Sequence, residues 1–396
     1  PIRITRIADI DITTRRDADY NDSILTSDGM AVARDPEIDI IIELIGGTKA
    51  AREIVETALE HGKHVVTANK ALLAHFGAEL FELAGKNKVS LLFEAAVGAG
   101  IPIIRSLCYA YAPNHIRTIR GIMNGTTNFI LSSMEDQGRE YEDVLKEAQQ
   151  KGYAEPDPTF DVEGFDTANK LAILASLAFG QDIRFDSVSV TGITRVQKED
   201  IAYARELGYT IKLLGIARRD KDGQAEARVQ PTLLSRRSSL ASVKGVFNAM
   251  EIEGSPVGPQ MLYGQGAGWG STSSAILGDV MDIATALAAG VSIPAPFHIS
   301  TGKKNIKPMA DLESAYYLRM TLKDVPGTLA KVAKIFGDQK ISICSVLQKT
   351  NDPGRWASTI FITHKAREGN IQAALDTLAA EQICQEKPFM LRVEEE

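Results

Sequence analysis

The sequence predicts an α/β chain in three parts. These are an incomplete parallel, doubly wound sheet, a separate α+β domain, and a C-terminal ferredoxin-like unit. Three observations predict this. β-Branched runs alternate with helical segments over residues 1–100. Strands and helices then mix without strict alternation over residues 101–291, and a full β-α-β-β-α-β order fills residues 315–396.

The first part opens on Ile2–Asp9, a strand-like stretch. Ile38–Leu44 is a β-branched run suited to a strand covered on both faces. Thr48–Leu59 reads as a helix that stops at Gly62, His64–Ala68 as the next strand, Ala78–Ala84 as a helix and Val89–Ala96 as a strand. Such a sheet usually begins with a strand, a glycine-rich turn and a helix that binds pyrophosphate. No G-x-G-x-x-G precedes Ile2, so the expectation is that roughly 30 residues, one βα crossover, are missing from the start. A helix near residues 271–290 is expected to complete this domain.

In the second part, strands are expected at Ile116–Met123, Val188–Ile193, Ala225–Pro231 and Val246–Ile252. Helices are expected at Tyr141–Lys151, Asp166–Ala178, Lys198–Leu207 and Ser271–Ala288. Residues 292–314, with Pro294, Pro296, Gly302 and Pro308, carry no periodicity and read as a linker. Strands at Tyr316–Leu322, Ile341–Gln348, Trp356–His364 and Phe389–Val393, with helices Thr328–Gln339 and Asn370–Ala380, make the last unit.

Composition narrows the function classes. Lys and Arg number 44 against 51 Asp and Glu, a net charge of -7, which argues against a nucleic-acid binder. No apolar run has the length of a membrane helix. The cysteines Cys108, Cys344 and Cys384 are far apart, which argues against disulfides or a zinc ribbon and for the reducing cytoplasm.

Several segments can carry chemistry. Thr67-Ala68-Asn69-Lys70 ends a sheet strand, where open α/β sheets bind ligands. A solvated lysine at a helix start is the plain alternative for Lys70. Glu43-Leu44-Ile45-Gly46-Gly47 ends the preceding strand, and its glycines let backbone approach a cofactor or simply make the turn. The densest polar run is Gly152–Lys170, in which prolines stiffen the loop holding Glu155 and Asp157. Glu155, Asp161 and Asp166 suit a substrate ammonium. Lys170, four residues after Asp166 and at the head of an apolar helix, suits proton donation. An ordinary i,i+4 ion pair is the alternative. Asn124–Asn128 and the run Gly264–Gly270, which includes Gly266 and Gly268, read either as ligand-binding helix starts or as plain caps. For cofactor choice, Asp9 and Asp11 suit the ribose hydroxyl of NAD, whereas Arg15 and Arg16 suit the 2′-phosphate of NADP. The two adjacent guanidiniums favour NADP.

Taken together, IIELIGG, GKHVVTANK, FEAAVGAGIPIIR, GIMNGTTNFIL, GYAEPDPTFDVEGFDTANKLAIL and MLYGQGAGWGSTSSAILGD resemble the homoserine dehydrogenase family, in its order and over nearly the whole chain. DVPGTL and the final β-α-β-β-α-β order resemble an ACT regulatory domain. The resemblance implies a Rossmann-like first domain and NADP- or NAD-dependent interconversion of L-aspartate 4-semialdehyde and L-homoserine, on the way to threonine and methionine. It implies Lys170 as proton donor, Lys70 as a second catalytic lysine touching the nicotinamide, and Asp166 in both catalysis and substrate binding. Glu155 and Asp161 join it in holding substrate, and Gly152 contacts the nucleotide. A sodium site is implied at Glu94, Val97, Ala99 and Ile101, mainly through backbone carbonyls. The ACT unit implies an amino-acid effector, L-threonine, at Asp324, Gly327, Leu329 and Gln348, and a homodimer or homotetramer. Two other classes are weighed against this. Aspartate-semialdehyde dehydrogenase chemistry needs an activated thiol, and no cysteine has that context. An amino-acid-binding regulatory protein with an inactive dinucleotide domain is the non-enzymatic alternative.

Overall fold

A computed structural model describes every residue except 1, 15, 19, 292, 294–298, 301–304, 350–353 and 395–396. Contacts divide the chain into two units. The first is Pro1–Arg117, Asn169–Ser187 and Glu253–Lys304, and the second is Thr118–Ala168, Val188–Ile252 and Asn305–Glu396. Much of the expected linker, 292, 294–298 and 301–304, lies outside the described residues, as does Arg15.

The first unit holds a three-stranded parallel sheet of Ile40–Glu43, His64–Thr67 and Leu91–Leu92, in that order. Helix Trp269–Ala289 packs on it, burying Ile276, Val280 and Ile283 against Val66. Three local expectations change here. The opening strand shrinks to Ile7–Ala8, paired in parallel with Leu25–Thr26 in a separate two-stranded sheet. The helix read at Ala78–Ala84 spans Lys70–Asn87, because the Asn69 side chain accepts the Leu72 N–H (3.0 Å) and starts it much earlier. The strand read at Val89–Ala96 stops at Leu92. Glu94 turns the chain into a 3₁₀ helix, its N–H bonded to Asp279 (2.8 Å) and its carboxylate taking the N–H groups of Ile104 and Arg105.

The second unit is built on a long mixed sheet. From Phe247–Ser255 the order runs His115–Ile122, Tyr209–Arg219, Ala225–Ser235, Phe389–Glu394, Glu313–Lys323, Trp356–Thr363 and Ile343–Gln348. Tyr209–Arg219 is a strand the sequence reading missed. Residues 210–217 are all buried, and the lysine in their middle disguises the pattern. The last four strands, with helices Thr328–Asp338 and Glu368–Ala380, form the ferredoxin-like unit around Tyr316, Phe336, Phe361 and Leu375. Its final strand pairs in parallel with Ala225–Ser235, Glu394 opposite Leu234, so one sheet runs through both.

Candidate active site

In the first unit, strand Ile40–Glu43 ends on Glu43, whose side chain is almost fully buried. Its carboxylate accepts the Thr67 hydroxyl (2.6 Å) and the Ile45 N–H (2.8 Å). The Asn69 amide reaches the same carboxylate (3.5 Å) and donates to the Gly47 carbonyl (2.7 Å), while the Asn69 N–H donates to Thr67 Oγ1 (2.9 Å). A buried carboxylate must be bonded to persist, and here the bonds tie the ends of two neighbouring parallel strands together. Gly46 and Gly47 have φ of 77° and 65°, and nothing lies within 4 Å of where a Cβ would stand on either. Only glycine takes that backbone without strain, and it leaves an open cradle at the carboxyl ends of the strands. Leu44 and Ile45 beside it are exposed apolar residues. Lys70, half-buried, is the first residue of the helix that Asn69 caps.

The same unit contains Lys170, Gly266 and Gly268. Gly268 precedes helix Trp269–Ala289 at φ 112°, and Gly266 is buried. Arg16 donates to Asp9 (2.7 Å) and to the carbonyls of Asp11 and Thr14 (2.9 and 3.1 Å). Hydrogen bonds from Thr14 and Thr13 hold the Asp11 carboxyl below the usual carboxylate range. Both acids considered for a ribose hydroxyl are therefore engaged in their own loop. Val97, Ala99 and Ile101 are buried in a turn where Gly98 and Ala99 are left-handed, φ 73° and 42°. Arg105 pairs with Asp279 (3.0 Å) and Asp282 (2.7 Å). Burial pushes the Glu94 carboxyl up to about 7 despite its two backbone donors.

In the second unit, Asn124 is the central polar residue. Its side-chain oxygen accepts the Thr127 N–H (2.8 Å) and caps helix Gly125–Gln137. Its side-chain nitrogen donates to Asp161 (2.7 Å) and Asp166 (2.9 Å). One amide thus holds two carboxylates together, which lets like charges share a site. Gly125 follows because a Cβ there would meet the Val246 carbonyl at 2.6 Å. Thr126 donates to the Tyr153 carbonyl (2.6 Å), and Gln149 to the carbonyls of Glu155 and Pro156 (3.3 and 3.2 Å). These bonds fix the loop bearing Gly152 and Glu155, both exposed, against helices of known position.

Behind the Asn124 helix lies Lys212, 1% exposed. It donates to Asn128 Oδ1 (2.9 Å), Ser132 Oγ (3.2 Å) and the Val243 carbonyl (2.6 Å). Burial pushes its ammonium down to about 8. The sequence reading placed Asn124 in a cap cluster and Glu43 at a strand end without the partners they hold, and it missed Lys212. For Asn124 the signal was present, an Asn directly before an apolar helical run.

Helix Phe165–Phe179 carries Asp166 and Lys170 one turn apart, 4% and 8% exposed. Its following face, Leu171, Ala172, Leu174 and Ala175, is fully buried, which fixes the lysine's stem in a packed helix.

In the ferredoxin-like unit, Gly327 at φ 92° starts helix Thr328–Asp338, and Leu329 is exposed. The Asp324 N–H donates to Arg355 O (2.7 Å), and Gln348 accepts the Thr359 hydroxyl (3.2 Å). Among the described residues, no helix is long and apolar enough to cross a membrane.

Residues 1–94 match the family model described as the NAD binding domain of homoserine dehydrogenase, 102–281 that of homoserine dehydrogenase, and 316–381 that of the ACT domain. The homoserine dehydrogenase of Neisseria gonorrhoeae is 43% identical over 99% of this chain and 91% of its own length. A homoserine dehydrogenase from Thiobacillus denitrificans of known structure superposes with a TM-score of 0.88 at 44% identity, covering 94% of this chain and 85% of that one. A hyperthermophilic archaeal homoserine dehydrogenase in complex with NADPH matches with a TM-score of 0.58 at 28% identity, covering 66% and 76%.

Proposed function

The chain belongs to the homoserine dehydrogenase family and is an NAD(P)-dependent oxidoreductase of that activity; from that premise we propose which residues carry the reaction. The observation that carries the assignment is the Asn124 amide gathering Asp161 and Asp166, with Lys170 one turn beyond Asp166 on the same buried helix.

The residues at the strand ends fit a nicotinamide dinucleotide: the open glycine cradle at Gly46 and Gly47, braced by Glu43 and Asn69, is followed directly by Lys70. Gly152, Gly266 and Gly268 are its further contacts, and Arg15 and Arg16 take the phosphate that makes NADP the preferred form. When bound, the reduced cofactor supplies the hydride for the aldehyde carbon of L-aspartate 4-semialdehyde. Asp161, Asp166 and Glu155 hold the substrate's α-ammonium and so orient its far end. As the carbonyl oxygen gains charge, Lys70 supplies a positive field, and Lys170 delivers a proton to that oxygen. In the reverse direction Lys170 takes the proton from the homoserine hydroxyl.

For sodium, the Glu94 carboxylate is committed to two backbone amides, so its carbonyl and those of Val97, Ala99 and Ile101 are the donor set. The ACT domain supports an amino-acid effector at the turn Asp324–Leu329 with Gln348, which we assign to L-threonine as product of the pathway leading to threonine and methionine. Pairing of such domains supports a homodimer or homotetramer, and the cysteine usage supports a cytoplasmic enzyme.

The test is homoserine-dependent reduction of NADP⁺. Lys170→Ala should lower the rate by about 10²–10⁴ with circular dichroism unchanged. A folded Lys170→Ala enzyme at full rate refutes the proton-transfer role.

A further inference from the structure

A cavity of about 250 Å³ opens within the second unit, between the ferredoxin-like strands and the rest of that unit. Strands Glu313–Lys323 and Phe389–Glu394 contribute Arg319 and Phe389, and Glu386 stands on the loop before the latter. Glu140 and Glu142 at the start of helix Tyr141–Gln150, with Arg195 and Lys387, complete the lining. The volume lies below the roughly 300–1,000 Å³ of pockets that enclose drug-sized ligands, so it suits a small metabolite.

Arg319 makes this a site rather than a crevice. Its side chain is 8% exposed, and its Nε donates to Asp200 (2.8 Å), itself fully buried. Among the described residues its terminal nitrogens have no hydrogen-bond acceptor; the nearest carboxylate is Glu386, 3.9 Å from Nη1. A guanidinium presents its remaining donors on a planar fork, and a carboxylate in the cavity would meet two of them at once. The fork is also held in place: Arg319 and Arg195 lie over the Phe389 ring, at 5.2 and 5.5 Å from its centroid. Glu140, Glu142 and Glu386 also line the cavity and bring acceptors and negative charge beside Arg195, Arg319 and Lys387. A simple polyanion would be repelled by the glutamates, whereas a ligand carrying an ammonium beside its carboxylate satisfies both signs of charge in the lining.

We propose that this cavity is a binding site for a free α-amino acid, its carboxylate on Arg319 and Arg195 and its ammonium on the glutamates that line it. It is separate from the turn Asp324–Leu329 and independent of whether that turn binds an effector. Glu140 directly precedes the helix whose far end, at Gln149, donates to the Glu155 carbonyl, so the site adjoins the loop proposed to position substrate.

The test is calorimetric titration of the full chain with glycine, L-valine and L-threonine, and with isobutyrate and isobutylamine, which each carry half of valine's charge. The expected result is binding of at least one amino acid and of neither half-molecule. Arg319→Gln should weaken it by at least about tenfold. Because that variant removes the charged partner of buried Asp200, leaving it the Tyr317 hydroxyl and the Gln197 N–H, Glu142→Gln at the exposed lining is the second test, with an expected loss of about three- to tenfold. No heat from any of the three amino acids overturns the proposal. So does binding that persists in Glu142→Gln and in folded Arg319→Gln, whether or not it disappears in Gly327→Ala, whose φ of 92° is strained for alanine.

Discussion

Asn124 does two jobs that substitution can separate. As a cap, its side-chain oxygen takes the Thr127 N–H; as a clamp, its side-chain nitrogen bonds Asp161 and Asp166 at 2.7 and 2.9 Å. Aspartate caps as well as asparagine does, so Asn124→Asp keeps the first role, removes the second, and sets a third carboxylate against two others. A hydrogen bond to a charged group is worth roughly 1.5–3 kcal/mol, and each 1.4 kcal/mol is tenfold. If the loss of one such bond falls on substrate binding, the KM for homoserine should rise by about ten- to a hundredfold in Asn124→Asp. Asn124→Ala should raise KM less, because it adds no charge, but should cost about 1 kcal/mol in stability through the lost cap. Lowering the pH should partly restore Asn124→Asp relative to the native enzyme. Crowded carboxylates bind a proton more readily, and a protonated Asp can again donate to its neighbour. Initial rates of NADP⁺ reduction across homoserine concentration and pH, with urea unfolding of each variant, measure all three quantities. A native KM in Asn124→Asp, or a KM ratio that does not narrow on acidification, would refute the clamp as a determinant of substrate binding.

Three further outcomes follow from the same reasoning. The Lys212 ammonium lies near 8 in the folded chain against an ordinary 10.5, so the unfolded state binds its proton more tightly and stability gains with pH between those values; in urea titrations across that range Lys212→Met should lose the gain, and curves parallel to the native ones would exclude it. Glu394, 5% exposed, accepts from Arg120 and Arg228 at 3.5 Å and from Arg218 at closer range, which pins the last strand to the catalytic sheet; Glu394→Gln should cost toward the low end of roughly 3–5 kcal/mol, since Glu226 and Glu251 still share the arginines, and an unchanged denaturation midpoint would contradict this. Replacing Arg15 and Arg16 by alanine should lower the NADP-to-NAD ratio of kcat/KM, and an unaltered ratio would remove both from phosphate recognition.

What was legible in the sequence is what local pattern encodes. The β-branched Ile38–Leu44 run gave a parallel strand, Ile40–Glu43, but not one covered on both faces: it is an edge strand whose Ile42 is exposed, while the ferredoxin-like order was readable because each of its elements has its own period. The acid and lysine motif from Glu155 to Lys170 was readable because it is contiguous. The supports of that motif were not, because each is made by a partner distant in sequence. Glu43 acquires its role only through Thr67 and Asn69, 24 and 26 residues away. Lys212 looks like a surface residue interrupting an apolar run until Asn128, 84 residues earlier, is placed against it.

The same distinction separates the residues proposed to be catalytic from those that hold them. Lys170, Asp166 and Lys70 can be named from a motif, yet a motif fixes only their identities. Asp161 and Asp166 both accept from one side-chain nitrogen, and a shared donor is what lets two carboxylates stand together. Asn124 provides that donor, its helix is pinned by Lys212 through Asn128, and Gly125 allows the close approach to Val246. A chain that kept every residue of the motif but lost this support would still carry the motif. It would also have a less well ordered ammonium site, and a substrate misplaced by about 1 Å can cost on the order of a hundredfold in rate. The asparagine and the buried lysine therefore have as strong a claim on activity as the acids they position.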